Sequence, residues 1–133
     1  MSRVREARNP ESVHAPLAGY SHQIELRGCE RMLVLSGQIG MTADGQVPDD
    51  AAEQFDLALQ NVLHNLDAAS MNVGDLVKLT FYFVEPIEAE RRRAILAARL
   101  GHHEPCMTLV YVAGLASPVI KAEVDAWASV PGS

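Results

Sequence analysis

The chain has 133 residues, 48% of them hydrophobic, and a formal net charge of −6 from 17 acids against 11 bases. That length and composition predict one domain with a real core and exclude disorder. The acidic balance disfavours a nucleic-acid partner, which needs a basic surface to displace phosphate counterions.

The only basic run, Arg91-Arg92-Arg93, is short and reads as a solvated helix face. Cys29 and Cys106 are too few for a disulfide framework, so a cytoplasmic setting is expected. No signal-like region and no membrane-spanning apolar run are visible. His102 and His103 are the only close histidine pair, and adjacent residues point apart, so no metal site is expected.

Residues 1–19, with Pro10, Pro16 and Gly19, read as an irregular lead-in, and 129–133 as a frayed tail of the single domain 1–133. Residues 22–27 alternate, with Ile24 and Leu26 opposing Gln23, Glu25 and Arg27, which predicts a half-buried strand. Gly28-Cys29-Glu30-Arg31 reads as a hairpin connection to a second strand over 32–35, which runs into Ser36-Gly37-Gln38-Ile39-Gly40.

Phe55, Leu59, Val62, Leu66 and Ala69 recur at helical spacing and predict a helix over 51–69, with Asp50 and Glu53 spaced as a capping box. A strand follows over 76–84, with Val77, Leu79, Phe81 and Phe83 on one face. Pro86 opens a second helix over 87–100, stopped at Gly101. Two strands, 107–113 and 119–128, close the chain.

Two helices cannot cover both faces of such a sheet. The expected architecture is α+β, with both helices on one face of a mixed sheet and the other face solvated or buried in an oligomer.

Several collinear segments then carry a resemblance: Gly19-Tyr20-Ser21, Ser36-Gly37-Gln38-Ile39, Leu59-Gln60-Asn61-Val62, Val73-Gly74-Asp75-Leu76-Val77-Lys78, Pro105-Cys106-Met107-Thr108 and Glu123-Val124-Asp125-Ala126. Together they span about residues 9–129 and resemble the RidA (YjgF) family of reactive-intermediate deaminases. The resemblance implies a homotrimer of chorismate-mutase-like fold, with small ligands in clefts between subunits. It implies hydrolysis of enamines and imines to ketoacids and ammonia without a cofactor. Some members of the family are described as ribonucleases or translation inhibitors.

Two positions depart from the family pattern. Met107 stands where the family has an arginine, and Asp125 where it has a closing glutamate. A guanidinium grips a carboxylate through two charge-assisted hydrogen bonds, whereas a thioether offers apolar contact alone. Asp125 keeps a carboxylate that could orient water, with shorter reach.

The resemblance makes Asp125 and Tyr20 the catalytic candidates and Ser36, Gly37, Met107 and Arg93 the substrate-binding ones. Asp125 is expected to share a strand face with Lys121, Glu123 and Trp127. Cys106 reads as packed rather than nucleophilic, and Asn61 as a capping or bridging residue. Arg93, His102 or His103 in the cleft would leave a charged substrate possible.

The expected function is imine or enamine hydrolysis with altered specificity. A non-catalytic ligand-binding or regulatory trimer is the alternative, and an endoribonuclease the weakest reading.

Overall fold

The computed structural model describes residues 4–131. Strands β1 (Val4–Arg8) and β2 (Gln23–Arg27) form an antiparallel ribbon. Strands β3 (Cys29–Ile39), β4 (Leu76–Phe83), β5 (Cys106–Tyr111) and β6 (Ala122–Pro131) form a sheet in the order β3-β6-β4-β5. β4 and β5 run parallel because helix α2 (Ala89–Leu100) carries the chain back between them; the other neighbours are antiparallel. Helix α1 (Ala51–Ala68) links β3 to β4. This is the expected α+β layer, a mixed sheet with two helices on one face.

The α1 stripe forms as its spacing predicts. Phe55, Ala58, Leu59, Val62 and Leu66 are fully buried against Leu76, Leu79, Phe81 and Phe83 of β4. Alanines 122, 126 and 128, with Val124, line β6 beneath the helix and keep it close to the sheet. Phe55 meets Phe81 and Phe83 edge-on at 5.2 and 5.0 Å between ring centres, the geometry favoured by aromatic quadrupoles. Truncating Phe55 to Ala should cost about 3–5 kcal/mol.

At the N-terminus of α1, the Asp50 carboxylate accepts from the Glu53 N–H at 3.0 Å. A reciprocal capping pair lies at Asn72 and Asp75 instead, where Gly74 N donates to Asn72 Oδ1 and Asn72 N to Asp75 Oδ2. α2 is a lighter element: Leu100 is its one buried residue, while Ile95 and Leu96 pack at the margin of the core.

Buried Gln54 ties the connections to α1. Its amide donates to the Pro48 and Val119 carbonyls at 2.8 and 2.9 Å and accepts from the Lys121 N–H at 2.7 Å.

The structure departs from the sequence expectations at several points. The lead-in contains β1, anchored by Arg5, whose guanidinium donates to the carbonyls of Gly74, Asp75 and Ser129. The tail is not frayed at its start, since β6 continues to Pro131 and Ser129 is buried; residues 132–133 lie outside those described. β2 and β3 are not a hairpin pair: β2 pairs with β1, and β3 with β6.

A register shift between Leu76 and Lys78 puts Leu76 in the deep core beside Leu79, the place expected for Val77. Pro86 precedes α2 rather than opening it, with Glu88 at the N-cap. Lys121 leaves the β6 row, donating to the Asp49 carbonyl at 2.8 Å and pairing with Glu85.

Candidate active site

The sheet has two faces of different chemistry, fixed by cross-strand register. Thr80 pairs with both Asp125 and Thr108, and Tyr82 with Glu123 and Val110. Lys78 pairs with Trp127 and Cys106, and Trp127 also with Val34. Paired residues share a side, so these side chains form the face turned away from the helices. Leu79 pairs with Met107, so Met107 lies on the opposite, helix-covered face, where it packs at the edge of the core.

On the outer face, the Tyr82 hydroxyl donates to Asp125 Oδ2 at 2.9 Å. The Asp125 carboxylate, followed by burial, pushes the Tyr82 hydroxyl above the ordinary tyrosine range. Lys78 Nζ donates to Thr108 Oγ1 at 2.6 Å. Burial pushes the neighbouring Cys106 thiol up despite the Lys78 ammonium, which keeps it protonated and unsuited to attack.

β3 reaches this face through a bulge. Register shifts between Leu35 and Gln38, which takes Ser36 and Gly37 out of step with β6. The Glu123 carboxylate fills the room over Gly37: a Cβ there would lie 2.6 Å from Glu123 Cδ. Asn61, from α1, holds the end of the same strand by donating to the carbonyls of Ile39 and Met41, both at 2.9 Å.

On the helix side, a groove of about 530 Å³ runs between α2, the lead-in and the start of β5. Arg93, Leu96 and Leu100 line it from the helix, with Met107 opposite and Gly19 and His102 at its margin. The bases of the Arg91-Arg92-Arg93 run diverge, since successive helical residues turn by about 100°. Arg91 pairs with Asp50 at 2.7 Å, Arg92 reaches the Ile87 carbonyl, and Arg93 lines the groove.

The expected site residues are thus divided. Gly37 and Asp125 belong to the outer face, and Ser36 lies in the bulge next to Gly37; Met107 and Arg93 belong to the groove. Tyr20 stands beside the groove, its hydroxyl accepting from the Leu17 N–H at 3.2 Å and its ring edge-on to His22. No described contact joins it to Asp125. His103 Nε2 bonds the Leu76 carbonyl at 2.7 Å.

Two residues escaped the sequence reading. Glu123 enters the sequence reading only as a member of the charged row beside Asp125, with no site role of its own, although its period-2 spacing from Asp125 puts both on one strand face. Tyr82 carried no local signal, because its partner lies 43 residues away. Among the described residues, no helix is long and apolar enough to cross a membrane.

The mixed α+β layer thus carries an acidic, bulge-flanked sheet face on one side and a separate groove on the helix side. The chain belongs to the family described as Endoribonuclease L-PSP, whose model matches residues 11–130; this is the RidA (YjgF) family of the sequence resemblance. It is 32% identical over 120 residues to the 2-iminobutanoate/2-iminopropanoate deaminase of Escherichia coli K12, covering 87% of this chain and 91% of the relative. The Salmonella typhimurium protein of the same name is 30% identical over 120 residues, with the same coverage. Among solved structures, the Rid-family protein of unknown function YyfB from Yersinia pestis superposes with a TM-score of 0.84 at 27% identity, covering 95% of this chain and 98% of that one.

Proposed function

We propose that this protein is an imine or enamine deaminase that hydrolyses a small metabolite in a cleft between two copies of the chain. Relatives named 2-iminobutanoate/2-iminopropanoate deaminase, matching over most of both chains, support the chemistry. The observation that carries it is the Glu123 carboxylate lodged over Gly37 on the bulged end of β3. Asp125 is engaged by Tyr82, whereas no described hydrogen bond or ion pair occupies Glu123, which leaves Glu123 the acceptor for a water.

In the proposed reaction, Glu123 takes a proton from water as its oxygen attacks the C=N carbon. Glu123 returns that proton to the nitrogen, giving a tetrahedral carbinolamine, which then collapses: the hydroxyl proton passes by way of Glu123 to the amine, the C–N bond breaks as the C=O bond forms, and ammonia leaves with a 2-oxo acid behind. Tyr82, held protonated by Asp125, is a hydroxyl donor in the same row. Asp125 acts through Tyr82, and Ser36 and Gly37 shape the approach.

Met107 and Arg93 sit on the other side of the sheet and cannot meet Glu123 within one chain. A ring of copies, in which the groove of one faces the bulge of the next, brings the halves together. We therefore assign a homotrimer with inter-subunit sites. The free Cys106 thiol suits a cytoplasmic setting. The net charge of −6 argues against the ribonuclease activity in the family's description.

The test is 2-iminobutanoate generated in situ by an amino-acid oxidase, with ammonia release followed over time. Wild type should beat spontaneous hydrolysis, and Glu123→Gln should lose about a hundredfold or more. A wild-type rate equal to the spontaneous one sinks the deaminase and leaves a ligand-binding trimer. Salt-sensitive retention of RNA on a filter would revive the ribonuclease.

A further inference from the structure

We propose that the groove between α2 and β5 is a carboxylate subsite for 2-imino and 2-oxo acids whose apolar side chain is longer than that of 2-iminobutanoate. Arg93 is its anchor, and Leu96, Leu100 and Met107 are its apolar walls. The proposal deepens the deaminase reading by naming the substrate class, but its binding claim stands on the groove alone.

Arg93, Leu96, Ala97 and Leu100 follow the i, i+3, i+4, i+7 spacing that puts residues on one helix face, and all four line the groove. Arg93 differs from its neighbours in the basic run. Arg91 is neutralised by Asp50 and Arg92 is turned to the Ile87 carbonyl. Arg93 has no hydrogen bond or ion pair among the described residues, so its fork of donors remains open to an anion.

Met107 makes the opposite wall apolar. In the sequence resemblance this position carries the carboxylate-gripping arginine, so here the cation has moved from the strand to the helix. The move has a geometric consequence. Arg93 precedes Leu100 by seven residues, roughly 10 Å of helix rise. A carboxylate held at Arg93 therefore draws its attached chain along Leu96 and Leu100 and past the Met107 thioether. A four-carbon acid leaves much of that wall unused, and the cavity of about 530 Å³ has room for more. His102 adds a second donor at the margin, while the Glu104 carboxylate on the same rim disfavours a second anionic group there.

Titration calorimetry with stable 2-oxo acids tests this without turnover. 4-Methyl-2-oxopentanoate should bind at least tenfold tighter than 2-oxobutanoate, because each buried methylene contributes about fourfold. Arg93→Gln should weaken both acids about tenfold or more but leave 4-methyl-2-oxopentanamide, which lacks the carboxylate, unchanged. Arg93→Lys should fall between, since a point charge cannot form the bidentate pair. Arg91→Gln, on the Asp50 side of the helix, should bind as wild type.

Equal affinity for the two acids, or an Arg93→Gln variant that binds them like wild type, overturns the subsite. Arg93-dependent binding with no ammonia release from the corresponding imine upholds the subsite and overturns the deaminase reading. Imine turnover with no effect of Arg93→Gln on affinity does the reverse.

Discussion

Gly37 on β3 and Glu123 on β6 share one volume: the carboxylate of the second occupies the space the first leaves by having no side chain. The obstructing group is the far end of a flexible side chain, not backbone. Gly37→Ala should therefore move Glu123 rather than break the sheet. Deaminase activity should fall about tenfold to a hundredfold while the melting temperature changes by only a few degrees. Wild-type activity in Gly37→Ala would remove Glu123 from the mechanism.

Tyr82 and Asp125 make a pH-dependent pair. The Tyr82 hydroxyl titrates above its ordinary range, chiefly because it donates to the Asp125 carboxylate. Its folded value is raised, so the stabilisation it brings is fully present below the unfolded tyrosine pKa and is lost as pH rises through the folded one. Absorbance titration of the three tyrosines should show one ionising late. Asp125→Asn should move that step down toward the ordinary range, leaving the smaller effects of burial and Glu123; three coincident titrations in the wild type would contradict the pair.

Gln54 is buried and uses its amide three times, on Pro48, Val119 and Lys121. Gln54→Leu keeps the volume but strands two carbonyls and an N–H. The expected loss is about 3 kcal/mol, a fall in melting temperature of roughly 10 °C. Chemical denaturation that places the variant within about 0.5 kcal/mol of wild type would mean water replaces the amide.

Val34 and Trp127 are paired neighbours on the outer sheet face, 57% and 45% exposed in the single chain. A charge at an exposed position of a monomer changes stability by about 0.5 kcal/mol or less. In a trimer that buries this face, Val34→Glu should break the assembly and the activity together. Light scattering should give a trimer for wild type and a monomer for the variant; a wild-type monomer at micromolar concentration would remove the inter-subunit cleft.

The helices, the aromatic strand and the α+β class were legible because their signals are local. The spacing of Phe55, Leu59, Val62 and Leu66 is set by the helix repeat itself, and Phe81 and Phe83 alternate as any half-buried strand does. Charged positions hid β1, whose pairing with β2 depends on a partner 15 or more residues away. The chemistry of the site was legible as residue types: a carboxylate row on β6, a glycine after Ser36, a methionine after Cys106.

What only the tertiary structure decided was which of these types meet. Face and partner follow from strand register, and a single bulge reverses them, as it does for Leu76 and Val77. Register placed Asp125 against Tyr82, Glu123 over Gly37, and Met107 across the sheet from both. These are contacts between residues far apart in the chain, decided by how α1 and the sheet pack, and no local pattern in the sequence encodes them.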